Sequence, residues 1–96
     1  MNACYIIYSS SFDRYYTGAT HDSVFNRLQK HNDKKYGSAA TAFANDWEIF
    51  LIIESESYTM ALNIEKHIKK MKSKSYFQNL KKYPEMISKL KSKYST

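Results

Sequence analysis

The 96-residue chain carries 15 Lys and Arg against 9 Asp and Glu, a formal net charge of +6, with 43% hydrophobic and 16% aromatic residues and only two Gly and one Pro. This composition fits a compact globular domain and excludes a disordered tail. No apolar run approaches the roughly 18 residues of a membrane span, and no basic region followed by a hydrophobic stretch opens the chain, so a cytoplasmic protein without a membrane partner is expected.

The first elements form a predicted β-hairpin. "CYIIYS" and "RYYTGA" are rich in β-branched and aromatic residues, and the polar "SSFD" between them reads as a turn. Side chains alternate along a strand, so Tyr5, Ile7 and Ser9 share one face and Tyr16 and Gly18 share one face of the partner strand. If Ile7 pairs across from Tyr16, then Tyr5 sits opposite Gly18, and both phenols emerge on the same side. A glycine there leaves an open spot for close approach of a ligand backbone.

A helix is expected from about Ser23, capped by Asp22 or Ser23, with Val24, Phe25 and Leu28 on its apolar side. Arg27 and His31, four residues apart, share one flank of it. Residues 33–46 show no period and contain Gly37, which predicts a long loop. "WEIFLII" reads as a third strand, and its nearly continuous apolar run predicts a central strand buried on both faces, with Trp47 in the core.

The next helix, from about Ser57, places Met60, Ala61, Ile64, Ile68 and Met71 in one buried stripe, with Glu65 at its edge. Ser75 and Gln78 have capping-box spacing, which predicts a short helix carrying Phe77 and Leu80, and Pro84 suits the first turn of a last helix through Met86, Ile87 and Leu90. The whole is an α+β domain over residues 1–96, with a small three-stranded mixed or antiparallel sheet covered by helices and a basic helical segment from about residue 73.

Charge is unevenly spread along this order. Residues 66–96 hold ten lysines against Glu85, or +9, while residues 1–65 are at −3. A basic stripe of this kind suits a polyanion, because lysines near phosphates gain by releasing condensed counterions. The lone Cys4 excludes an internal disulfide and a multi-thiolate zinc site, and mid-strand it reads as a small buried hydrophobe. His21, His31 and His67 have no zinc-like spacing.

The ordered set Tyr5, Tyr16, Arg27 and Glu65 resembles the GIY-YIG nucleases over nearly the whole chain. The first motif is matched by Ala3-Cys4-Tyr5, which keeps only the tyrosine, and the second by Tyr16-Thr17-Gly18. The helix arginine falls on Arg27 within "NRLQKHN", the metal-binding glutamate on Glu65 within "ALNIEKHIKKMKS", and His31 on a position the family often fills with histidine or tyrosine. Where some relatives carry a lysine after the second motif, Ala19 and Thr20 stand here, with His21 the nearest substitute. The resemblance implies metal-assisted hydrolysis of a nucleic-acid phosphodiester by a stand-alone domain.

The residue types suit that chemistry. The Arg27 guanidinium stays protonated and can pair with the charge developing on phosphate oxygens. One carboxylate plus waters is adequate for a single Mg²⁺ or Mn²⁺, so Glu65 is the candidate metal ligand. Beside a divalent cation and an arginine a phenolate is favoured, so either Tyr5 or Tyr16 can take a proton from the attacking water. Lys69, Lys70, Lys72, Lys74, Lys81 and Lys82, with the open spot at Gly18, are the expected nucleic-acid contacts. Phosphate contacts position without specifying, so DNA cleavage of low sequence specificity by a monomer or weak homodimer is expected. The alternative is a binding module of the same fold with little or no turnover.

Overall fold

A computed structural model of the protein describes residues 1–33 and 41–95, so the predicted loop of 33–46 lies partly outside the described residues. Strands β1 (Asn2–Ser9), β2 (Arg14–Thr20) and β3 (Trp47–Ser55) form one sheet, and helices α1 (Val24–Asn32), α2 (Tyr58–Met71), α3 (Lys74–Lys82) and α4 (Pro84–Tyr94) cover it. The strand order is β2-β1-β3, and both pairings are antiparallel, which decides between a mixed and an antiparallel sheet. The α+β class and the element order ββα-βααα agree with the sequence reading.

The predicted hairpin register is the observed one: Tyr5 is opposite Gly18, and Ile7 is opposite Tyr16. The turn is closed by Asp13, which adopts φ 51°, a left-handed conformation that a short polar side chain tolerates. Its carboxylate accepts from the Tyr8 hydroxyl at 2.8 Å and from Lys74 at the start of α3. The serines of this turn also meet Asp46, which accepts from Ser9 Oγ at 2.6 Å and from the Ser11 amide at 2.9 Å. These bonds hold the Asp46 carboxyl well below the usual carboxylate range and tie the hairpin to the start of β3.

The core is split by the sheet. Cys4 and Ile6 point to one face, where Met60, Ile64 and Ile68 of α2 meet Leu80 and Leu90; Ala3, Tyr5 and Ile7 point to the other, against Val24 of α1, Ala44 and Trp47. Burial drives both layers, at roughly 1.5–3 kcal/mol for each large apolar side chain. The strand buried on both faces is therefore β1, and the expectation that β3 is central is corrected. β3 is an edge strand with Glu48 and Glu54 exposed and Ile49, Phe50, Leu51 and Ile52 only partly buried. A continuous apolar run also serves a strand whose edge is open.

Three helical details differ from expectation. Phe25 is 66% exposed because it follows Val24 by one position and so leaves the buried stripe; His31 takes the inner position instead, seven residues beyond Val24. Met71, the last residue of α2, is 44% exposed, past the end of the surface the helix covers. The cap of α3 is Ser73, whose hydroxyl accepts from the Tyr76 amide at 3.3 Å, and Ser75 lies inside the helix. Lys72, at φ 46°, makes the corner between α2 and α3.

The capping assignment has a direct test. Ser73→Ala loses the side-chain bond that caps the first turn of α3 and should lower stability by about 1 kcal/mol in urea unfolding, whereas Ser75→Ala should stay within about 0.5 kcal/mol. The reverse ranking would return the cap to Ser75.

Candidate active site

The site begins with the contact across the hairpin. A methyl carbon added at Gly18 would lie 2.5 Å from both the ring carbon Cζ and the hydroxyl oxygen of Tyr5, so the phenol lies directly over the glycine. Strands are about 4.8 Å apart, and the Tyr5 side chain spans that gap from the central strand only because nothing projects from β2 beneath it. Its hydroxyl thereby reaches the side of the sheet covered by α1.

Helix α1 supplies the next two groups. Ser23 caps it, accepting from the Asn26 amide at 3.4 Å, and fixes the turn from which Arg27 and His31 project. Arg27 Nε donates to Thr20 Oγ1 at 3.1 Å, and the same oxygen accepts from the Asp22 amide at 2.9 Å, so the end of β2 holds the guanidinium in place. His31 is 4% exposed; its Nε2 meets the Tyr5 hydroxyl at 3.0 Å and its Nδ1 meets Thr41 Oγ1 at 2.7 Å. Burial, reinforced by the Arg27 charge, pushes the His31 pKa from 6.5 down to about 4, so the ring is neutral at pH 7. A neutral imidazole has one donor and one acceptor, and Tyr5 and Thr41 satisfy both.

Glu65 arrives from the opposite layer of the protein. It sits on α2, which packs against the other face of the sheet, and reaches the site past β2, which among the described residues has a strand neighbour on one side only. Tyr5, Tyr16, Gly18, Arg27, His31 and Glu65 border a single cleft of about 310 Å³, together with Ala19. The six site residues predicted in the hairpin, α1 and α2 thus converge. The Tyr16 ring lies 5.3 Å from that of His31, and Lys69 Nζ stands 5.4 Å from the Tyr16 centroid.

Among the described residues Glu65 is the one carboxylate on this cleft, and no three His, Cys, Asp or Glu side chains gather as a metal-binding group. A single hard oxygen donor suits a cation that keeps most of its water, such as Mg²⁺ or Mn²⁺, and does not suit zinc. Glu65 also pairs with Lys69 at 3.2 Å, one helical turn on. With Lys69 half exposed, such a pair contributes only about 0.3–0.5 kcal/mol and yields readily to a stronger cation.

The lysines divide. Lys69, Lys72 and Lys74 border a depression of about 450 Å³ beside the cleft, sharing Tyr16 with it. Lys70 is exposed and borders neither, while Lys81 lies 4.6 Å over the Phe50 ring and Lys82 5.5 Å over that of Tyr83. His21 stacks edge-on with Tyr58 at 5.2 Å and is not among the cleft residues, so it does not replace the missing lysine. Sequence reasoning missed Thr20, Thr41 and Arg14. Thr20 and Thr41 act through partners seven and ten residues away, and Arg14 joins the lysines only once α2 is docked on β2.

The family model described as the GIY-YIG catalytic domain matches residues 1–83 of the 96. Neither the curated proteins nor the solved structures give a match to the chain.

Two outcomes follow from this geometry. Gly18→Ala should drive the Tyr5 ring off β2, costing about 1–3 kcal/mol in unfolding experiments and removing the tyrosine hydroxyl from His31. Unchanged stability would show that the ring moves freely. His31, neutral when folded, titrates near 6.5 once unfolded, so the unfolded chain binds a proton that the folded one refuses. Stability from this group is full above about pH 6.5 and is lost as pH falls toward about 4. His67, also lowered by burial, adds a slope of the same sign, so the test is the difference between wild type and His31→Gln in thermal melts from pH 7 to 4. Parallel curves would refute the assignment.

Proposed function

The chain belongs to the GIY-YIG family, and from that premise we propose that it is an endonuclease hydrolysing phosphodiester bonds in DNA with low sequence specificity. Domains of this family are nucleases, typically endonucleases, that act on nucleic acid and generally use divalent metal ions. The observation that carries the reading is the convergence on one cleft of two phenols, a guanidinium, a buried neutral imidazole and a single carboxylate.

In the proposed reaction a water oxygen forms a new bond to phosphorus, the bond from phosphorus to the leaving oxygen breaks, and the water's proton passes to a tyrosine oxygen. Tyr5 would take it in its phenolate form, with Arg27 on the same cleft favouring the anion and the neutral His31 ring holding the tyrosine oxygen through its Nε2 contact. Tyr16 borders the same cleft and is the second candidate base. Arg27, steadied by Thr20, faces the charge that develops on the phosphate oxygens. Glu65 is the residue that would hold one Mg²⁺ or Mn²⁺, and the chemistry such an ion supplies is Lewis-acid stabilisation of the leaving oxygen.

A second reading, a nucleic-acid-binding module of the same fold with little turnover, is favoured by one contact: Lys69 already neutralises Glu65. Nicking of supercoiled plasmid with and without chelator separates the two. The endonuclease reading expects chelator-sensitive nicking that Glu65→Ala abolishes and Arg27→Ala slows by about 10²–10³-fold. Equal inertness of wild type and Glu65→Ala, with salt-sensitive DNA binding kept by both, would establish the binding module instead.

A further inference from the structure

We propose that the outer edge of β2 is a track for one nucleic-acid strand and that the track ends in an aromatic bracket, Phe12 and Phe43, on which an unpaired base stacks. This rests on the endonuclease reading and names its substrate class: nucleic acid with an unpaired segment next to the scissile bond.

The track is continuous in the surface. The catalytic cleft shares Tyr16 with the depression bordered by Arg14, Lys69, Lys72 and Lys74, and Arg14 is shared in turn with a hollow of about 250 Å³ between Phe12 and Phe43. Arg14, Tyr16 and Gly18 share one face of β2. The four steps of strand from Gly18 to Arg14 span about 13 Å. Arg14 and Lys72, with Lys69 and Lys74 that also pair with Glu65 and Asp13, give this edge the positive charge that suits a phosphate backbone.

The end of the track has different chemistry. Phe12 is 52% exposed and Phe43 46%, two large apolar rings side by side in solvent at 5.1 Å and 83°. The buried Trp47 backs Phe43 edge-on at 5.6 Å, so the bracket is braced from beneath. An aromatic platform at the end of a basic groove is the combination that binds bases without reading their sequence, since every base has a π-face. Paired bases have both faces covered by their neighbours, so only an unpaired one can use the rings. Charge argues against a second copy of this chain as the occupant, because self-association through this surface would bring the Arg14 and lysine clusters of both copies together. Asp13, next to Phe12, does not reverse the sign, as Lys74 pairs with it.

Fluorescence anisotropy in the presence of chelator reads binding without cleavage. Two labelled DNAs of equal length serve as probes, one fully paired and one forked with a single-stranded arm carrying 2-aminopurine. The double variant Phe12→Ala/Phe43→Ala should bind the forked DNA about 5- to 100-fold more weakly and the paired DNA within about twofold, and the 2-aminopurine quenching seen with wild type should vanish. Lys72→Ala should weaken both alike and lower the salt slope by about one. Because both phenylalanines are exposed, matched thermal midpoints control for folding. Equal losses on both DNAs, no loss on either, or a change in sedimenting mass in place of base stacking would overturn the proposal. The endonuclease reading is decided separately by Glu65-dependent nicking with the wild-type protein.

Discussion

The close approach of the Tyr5 ring to Gly18 is the constraint from which the rest of the site follows. It needs a residue without a side chain opposite a tyrosine on the central strand, and so it fixes the hairpin register: a slip by one position would turn Tyr5 into the other layer. With the register set, Tyr16 follows on the same face, and Thr20 ends β2 where its hydroxyl can receive Arg27. Strand pairing thus sets where Tyr5, Tyr16 and Thr20 stand, and the helices bring Arg27, His31 and Glu65 to them.

Buried polar groups then hold it rigid. Tyr5, His31 and Thr41 form one hydrogen-bonded line, and Trp47 Nε1 donates to the Thr41 carbonyl at 3.0 Å, anchoring the far end in the core. Among the described residues no buried side-chain nitrogen or oxygen lacks a partner. Such networks, when fully satisfied, specify one arrangement, and in a low-dielectric setting their polarity is felt strongly by any charge nearby. The same burial keeps His31 uncharged, so among the described residues Arg27 is the cation that α1 brings to the cleft.

The hairpin register was legible because it follows from the period of two along a strand, whereas Tyr5, Tyr16, Arg27 and Glu65 were legible as a set only through their resemblance to the family's ordered motifs. His31 was readable as a flank residue of α1 but not as a buried one; its spacing from Val24 and Leu28 carries that signal, which the polarity of histidine obscures. The place of β3 was not legible, since the apolar run "WEIFLII" is compatible with an edge as with a centre, and the more continuous burial of "ACYII" appears only once both layers are in place. Ser73 and Ser75 compete for the same cap two residues apart, and the choice was made by where Lys72 turns the chain. Thr41 and Arg14 entered through contacts between distant segments, for which no local pattern exists.

The sheet separates the carboxylate from its proposed co-workers: Glu65 belongs to the layer of α2, whereas Tyr5, Arg27 and His31 belong to the layer of α1. Neither half owns a complete set. Detaching α2 would strip out Glu65 together with Lys69, so the carboxylate and part of the basic surface leave together. The cleft therefore exists only when both layers are closed on the sheet, and cooperative folding of the two cores is a condition for the site to be assembled at all.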